Sequence, residues 1–146
     1  VLSMVNRLGR VALGGMVVAL VVALGACAAP SAAEAHDDVA DAVRAASPEF
    51  AEVYVEDGVD GLSRYLFVEL DMVGDDLPID ALTAALGAVG TTVPKQYDTV
   101  RVVARTAGGD RLELEVPMQQ TGIDGVFMIN PRLASIQAAA LRGLGE

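Results

Sequence analysis

The stretch 62–72 constrains this chain more than any other, because apolar and non-apolar positions alternate along its whole length. Leu62, Leu66, Val68, Leu70 and Met72 fall on one side, and Ser63, Tyr65, Phe67, Glu69 and Asp71 on the other. Arg64 is the exception, on the apolar side near the start. A side-chain period of two describes a strand with one face buried and one face wet. Such a strand needs a second layer over its apolar side and leaves open what, if anything, covers the other. Residues 50–56 alternate in the same way, with Ala51, Val53 and Val55 against Glu52, Tyr54 and Glu56. Asp57, Gly58, Val59, Asp60 and Gly61 between the two runs have turn chemistry. The two strands therefore read as a hairpin. Tyr54, Tyr65 and Phe67 share its outward face and form a candidate interaction surface.

Around this hairpin the chain alternates helical and extended patterns. Ser31 and Glu34 have the spacing of a capping box, and Ala35, Val39, Ala42, Val43 and Ala46 follow at helical intervals until Ser47 and Pro48. After the hairpin, Asp76 can cap a helix with Pro78 in its first turn and a stripe at Ile79, Leu82, Leu86 and Val89. Gly90 sits where such a helix closes in left-handed geometry. Residues 98–106 alternate again, and Ala107, Gly108, Gly109 and Asp110 lead into 111–116, where Leu112, Leu114 and Val116 point one way. This predicts a second hairpin, ended by Pro117. Residues 118–130 are irregular, read as a loop with a short strand. Asn130 and Pro131 then open a last helix with Leu133, Ile136, Ala140 and Leu144 on one face. The order is helix, hairpin, helix, hairpin, helix. The expected fold is α+β: a four-stranded antiparallel sheet from two hairpins with helices packed against one face. The alternative is a sheet covered on both sides.

The first residues carry a different signal. Arg7 and Arg10 precede an apolar run, 11–24, that is short of the ~20 residues a stable membrane span needs. Small residues follow, then Cys27, the one cysteine of the chain. A positive start, a short apolar middle and a small-residue cut site describe a secretory signal peptide. The order Leu24, Gly25, Ala26, Cys27 resembles the lipobox of bacterial lipoproteins. The abundance of Ala, Val, Gly and Arg, suited to a GC-rich genome, points to an actinobacterial one. The resemblance implies cleavage before Cys27, lipid (palmitate among the chains) on its thiol, and anchorage to the outer face of the cell membrane. It covers the signal alone. The implied organisation is a signal peptide over 1–26, a lipidated tether over 27–33 and one small domain over 34–146.

Composition narrows the function classes. Loss of Arg7 and Arg10 leaves eight basic side chains against 20 acidic ones, a net charge of −12 with His36 neutral. That excludes a nucleic-acid partner, which demands a basic footprint. One cysteine excludes an internal disulfide, so the fold rests on a core of Val, Leu, Ile and Ala. His36 is the one histidine and has no nucleophile motif near it; it reads as a solvated helix residue. The acids Glu56, Asp57 and Asp60, and Asp71, Asp75, Asp76 and Asp80, lack the order of a calcium loop and read as turn and helix-start residues. No catalytic residue, metal or cofactor is assigned. Arg101, Arg105 and Arg111 on the second hairpin are expected to pair with Glu52, Glu56, Glu69 and Asp71 on the first. The expected function is an extracytoplasmic lipoprotein acting as a non-catalytic binding module. Its partners are the membrane, through Cys27, and a protein of the cell envelope. The alternative is a tethered hydrolase that uses carboxylates, whose mark would be a pocket converging on two of them.

Overall fold

The structure, a computed structural model, describes residues 29–145. Leu24, Gly25, Ala26 and Cys27 lie outside the described residues. Along the chain stand α1 (Ala32–Ala46), β1 (Phe50–Asp60), β2 (Ser63–Met72), α2 (Ile79–Thr92), β3 (Thr99–Arg105), α3 (Glu115–Thr121), β4 (Val126–Asn130), β5 (Leu133–Gln137) and α4 (Ala138–Arg142), followed by a short 3₁₀ turn. The fold is α+β, with a five-stranded mixed sheet in the order β1-β2-β3-β5-β4.

The capping box forms as the spacing predicts. The Ser31 hydroxyl accepts from the Glu34 amide, and the Glu34 carboxylate accepts from the Ser31 amide at 2.7 Å. The first hairpin forms too, but its turn is shorter than expected. β1 runs through Asp57 and Gly58 to Asp60, and Gly61 and Leu62 alone make the turn. Gly61 takes φ +63 at the first turn position, where a type II′ hairpin requires a positive φ.

The second predicted hairpin is replaced by a different pairing. β3 lies parallel to β2, with α2 as the crossover that a parallel pair needs. The turn at 106–110 does close, through Thr106 N–H to Asp110 O, and one bridge joins Arg105 to Arg111. The chain then leaves the sheet because Leu114 drops fully into the core and its amide bonds Pro131 O at 2.7 Å. Leu112 and Leu114 point inward as expected, while Val116 is 59 % exposed on α3. Pro117 falls in the first turn of α3, where an amide would have no intrahelical partner. The vacated edge of β3 goes to β5, which pairs antiparallel with Thr99, Val100, Arg101 and Val102.

The first half of the expected last helix is strand, β5, and helix begins only at Ala138. Pro131 and Arg132 make the β4–β5 hairpin turn, and Oδ1 of Asn130 before it accepts from the Arg132 amide at 2.9 Å. Two smaller expectations also change. α2 begins at Pro78 with no side-chain cap, so Asp76 does not cap it. Gly90 lies inside α2, where a side chain would strike the backbone of Leu141 in α4.

The core lies between the helices and one face of the sheet. Val39 and Val43 of α1, Leu82, Leu86 and Val89 of α2, and Leu141 of α4 pack with Leu66, Val68, Leu70, Val100, Val102 and Ile136. No described segment covers the opposite face.

Candidate functional site

The uncovered face inherits the outward half of every strand. Because side chains alternate, β1 contributes Glu52, Tyr54, Glu56, Gly58 and Asp60, and β2 contributes Tyr65, Phe67, Glu69 and Asp71. β3 adds Arg101 and Arg105, with Val103 on the same side buried beneath its neighbours. β4 adds Phe127 and Ile129 at the far edge. The three aromatic residues singled out in the sequence are therefore brought together, and α1 is not their cover: it packs on the other side of the sheet. Tyr54 is 52 % exposed, and Tyr65 and Phe67 are half-buried. Phe127, at 70 % exposure, belongs to the same face and was hidden in the irregular 118–130 stretch.

Cross-strand register arranges four of these residues as a box. Tyr54 stands opposite Glu69, and Glu56 stands opposite Phe67. The two rings occupy one diagonal and the two carboxylates the other. Together they line an open cavity of about 310 Å³. The sequence held this arrangement in its alternation, but the register that makes it a box depends on the two-residue turn.

Beside the box, only one of the expected cross-strand ion pairs forms among the described residues, Arg105 with Glu69; Arg101 takes a partner outside the expected set. Arg105 Nε approaches Glu69 Oε1 at 3.0 Å, an ion pair without hydrogen-bond alignment. The Arg101 guanidinium lies 3.9 Å over the Tyr65 ring and pairs with Asp60. Tyr65 in turn leans over Gly58, where a Cβ would meet its ring. Glu52 has only a long contact to Arg44, 3.8 Å. Glu56 has no ion pair among the described residues. Arg111 leaves the sheet and takes no part. Burial, and then the charge of Glu69, pushes the Asp71 carboxyl above its ordinary range, and Asp71 Oδ1 is buried without a hydrogen-bond partner. The face thus carries more carboxylate than guanidinium.

A second polar cluster closes the end of the core. His36 is not solvated: its side chain is 17 % exposed, with Nε2 3.2 Å from the Tyr97 hydroxyl and 3.4 Å from Asp57 Oδ1. Arg64, the exception in the alternation of β2, pairs with Asp57 at 3.3 Å and faces the Tyr97 ring at 5.7 Å. Burial and the nearby Asp57 charge push the Tyr97 phenol above its usual range. These contacts make the cluster a clasp between α1, the first hairpin and the chain entering β3. Sequence spacing carries no trace of it, since its members come from four separate segments.

A smaller cavity of about 230 Å³ lies between α3 and β4, lined by Met118, Ile123, Val126 and Met128 with Glu115 and Gln119. Among the described residues no three His, Cys, Asp or Glu side chains gather as a metal site, and no helix is long and apolar enough to cross a membrane. No protein-family model, curated protein or solved structure matches the chain.

Proposed function

We propose that the chain is an extracytoplasmic lipoprotein, anchored to the outer face of the cell membrane through Cys27, and that it works as a binding module whose uncovered sheet face docks an envelope protein. One observation carries the docking part: exposed Tyr54 beside half-buried Tyr65 and Phe67 on a sheet face that no described segment covers, with Phe127 exposed at its far edge. Clustered aromatic surface of this kind is characteristic of interaction sites. The anchorage part rests on Arg7, Arg10, the 11–24 run and the Leu24-Gly25-Ala26-Cys27 order.

Two measurements test the proposal. Mass spectrometry of the protein from membranes should find acylated Cys27 at the N-terminus; an unmodified Cys27 or residues retained before it overturns the anchorage. A photo-crosslinking residue at Tyr54 should give a discrete adduct in intact cells, and one at Asp38 on the exposed side of α1 should not. Equal adducts at both positions, or none at Tyr54, overturn the docking face.

The cavity favours a second reading, since it does converge on two carboxylates, Glu56 and Glu69. Diagonal neighbours on antiparallel strands start from backbone positions ~7–8 Å apart, and an inverting glycosidase pair needs its carboxyl groups ~6.5–9.5 Å apart with a water between them. Against it stands Arg105, which holds Glu69 as a paired carboxylate. Hydrolysis of envelope polysaccharide by the wild type, abolished in Glu56→Gln, would establish this reading; no turnover by either protein leaves the binding module.

A further inference from the structure

We infer that the box formed by Tyr54, Glu56, Phe67 and Glu69 seats an arginine side chain of the partner protein; this rests on the docking reading of the sheet face. Two aromatic side chains on one diagonal and two carboxylates on the other line the same cavity, and an aromatic ring attracts a cation as a carboxylate does. A guanidinium is the group that uses both, stacking on aromatic faces while its planar fork meets carboxylate oxygens. The cavity, about 310 Å³ and open to solvent, exceeds the ~30 Å³ share of a single water many times over, so a side chain can enter it from outside.

The same face already contains one such arrangement. Arg101 stacks 3.9 Å over Tyr65 and pairs with Asp60, so ring, guanidinium and carboxylate meet two residues along the hairpin from the box. In the box the rings and acids are present and the cation is supplied by neither strand. Arg105 reaches Glu69 from one side, and Glu56 has no basic partner among the described residues. One unpaired negative charge between two rings fits a single monovalent cation.

Charge complementarity also decides the class of partner. A second copy of this chain brings a net charge of −12 once Arg7 and Arg10 are gone, and its own arginines on this face are engaged. A basic segment of another protein is attracted instead. The size of the face favours a protein over a free amine. Five strands at ~4.8 Å spacing, with a central strand of seven residues at ~3.3 Å each, make a face of roughly 19 by 23 Å, about half of one side of a standard protein interface and far more than a free amine covers. Its far edge offers Phe127 and Ile129, apolar contacts that a small cation would leave unused.

The test uses the mature protein and an acetylated, amidated peptide with one arginine flanked by leucines. The control peptide replaces arginine with citrulline, which keeps the shape and removes the charge. Ring resonances of Tyr54 and Phe67 should shift with the arginine peptide and stay put with citrulline. Glu56→Gln and Tyr54→Leu should each weaken binding about five- to tenfold, the range of one partly desolvated cation–π or ion contact. The double variant Asp37→Asn with Asp38→Asn, which removes charge from the exposed side of α1, should change affinity less than about twofold. Equal binding of the citrulline peptide, an equal loss in the α1 variant, or no ring shift overturns the arginine seat. Spermidine shifting the rings as strongly as the peptide makes the ligand a free amine and overturns the protein partner. Ring shifts that grow with protein concentration alone make it a second copy. If the seat fails while the Tyr54 crosslink in cells persists, the docking face stands and only its arginine chemistry is lost.

Discussion

Two glycines three residues apart in α2 face opposite fates on substitution. A Cβ at Gly87 meets nothing within 4 Å, whereas a Cβ at Gly90 would lie 2.0 Å from the Leu141 carbonyl oxygen. Alanine is the better helix former by ~1 kcal/mol at an unobstructed interior site. Gly87→Ala should therefore stabilise the protein by about 0.5–1 kcal/mol. Gly90→Ala must push α4 away from α2 and should cost about 3 kcal/mol, the upper end of overpacking effects. Urea midpoints of the two variants check this, and similar values for both would contradict the close α2–α4 approach. Asp71 supplies a pH-dependent case. Its folded-state pKa is raised, chiefly by burial and next by Glu69. For an acid, that favours the protonated form in the fold. Stability is undiminished below the unfolded value and falls as pH rises through the folded one. Asp71→Asn should then melt above the wild type at neutral pH, and the difference should vanish once both states are protonated. A difference that persists unchanged under acid conditions would assign the effect to shape instead of charge.

The elements divide by how locally they are specified. α1 is written in its own residues: Ser31 and Glu34 set its start, and its valines set its buried side. β1 and β2 are likewise written in their alternation, and their hairpin needs only Gly61. β5 was illegible because Ala134 is small. Leu133, Ala134, Ser135 and Ile136 alternate in the sheet, but an alanine at a buried position gives little hydrophobic contrast, so the helical spacing of Leu133, Ile136 and Ala140 dominates the reading. The second hairpin failed for a related reason. Its turn chemistry was correct, but β3 has two edges and longer-range partners, β2 and β5, take them. Local pattern ranks local partners and is blind to that competition. The site divides the same way. Tyr54, Tyr65 and Phe67 shared a face by parity alone, whereas the His36–Tyr97–Asp57 clasp and exposed Phe127 required the tertiary fold. α1 itself yields a prediction. Its Val39 and Val43 are fully buried in the core, on the side of the sheet away from the aromatic face. Val39→Ala and Val43→Ala should each cost about 2 kcal/mol, and removal of residues through Ala46 should unfold the domain. A truncated protein with an unchanged melt would refute that packing.

At the scale of the molecule, two properties oppose one another. The open sheet face presents Tyr54, Phe127 and Ile129 to solvent, and exposed apolar surface on a sheet with two unpaired edges, β1 and β4, promotes self-association. The net charge, −12 after removal of Arg7 and Arg10, opposes it by mutual repulsion. The balance depends on pH because the repulsion is carried by carboxylates. The whole chain has a sequence pI near 4.4, and loss of two arginines lowers it further. At neutral pH the chain from Ala28 onward, without lipid, should sediment as a monomer. As pH falls towards the isoelectric point the carboxylates protonate, the repulsion fades, and the apolar face is free to pair with its own copy. Sedimentation velocity across that range should show dimers or larger species appearing under acid conditions. Phe127→Lys and Ile129→Lys, which place positive charge on the β4 end of the face, should delay their appearance, because protonation of the acids then leaves cations facing cations. Ala33→Lys and Ala45→Lys, at exposed neutral positions of α1, add the same charge away from the face. If they delay association as much, net charge alone governs the behaviour and the sheet face has no special part in it.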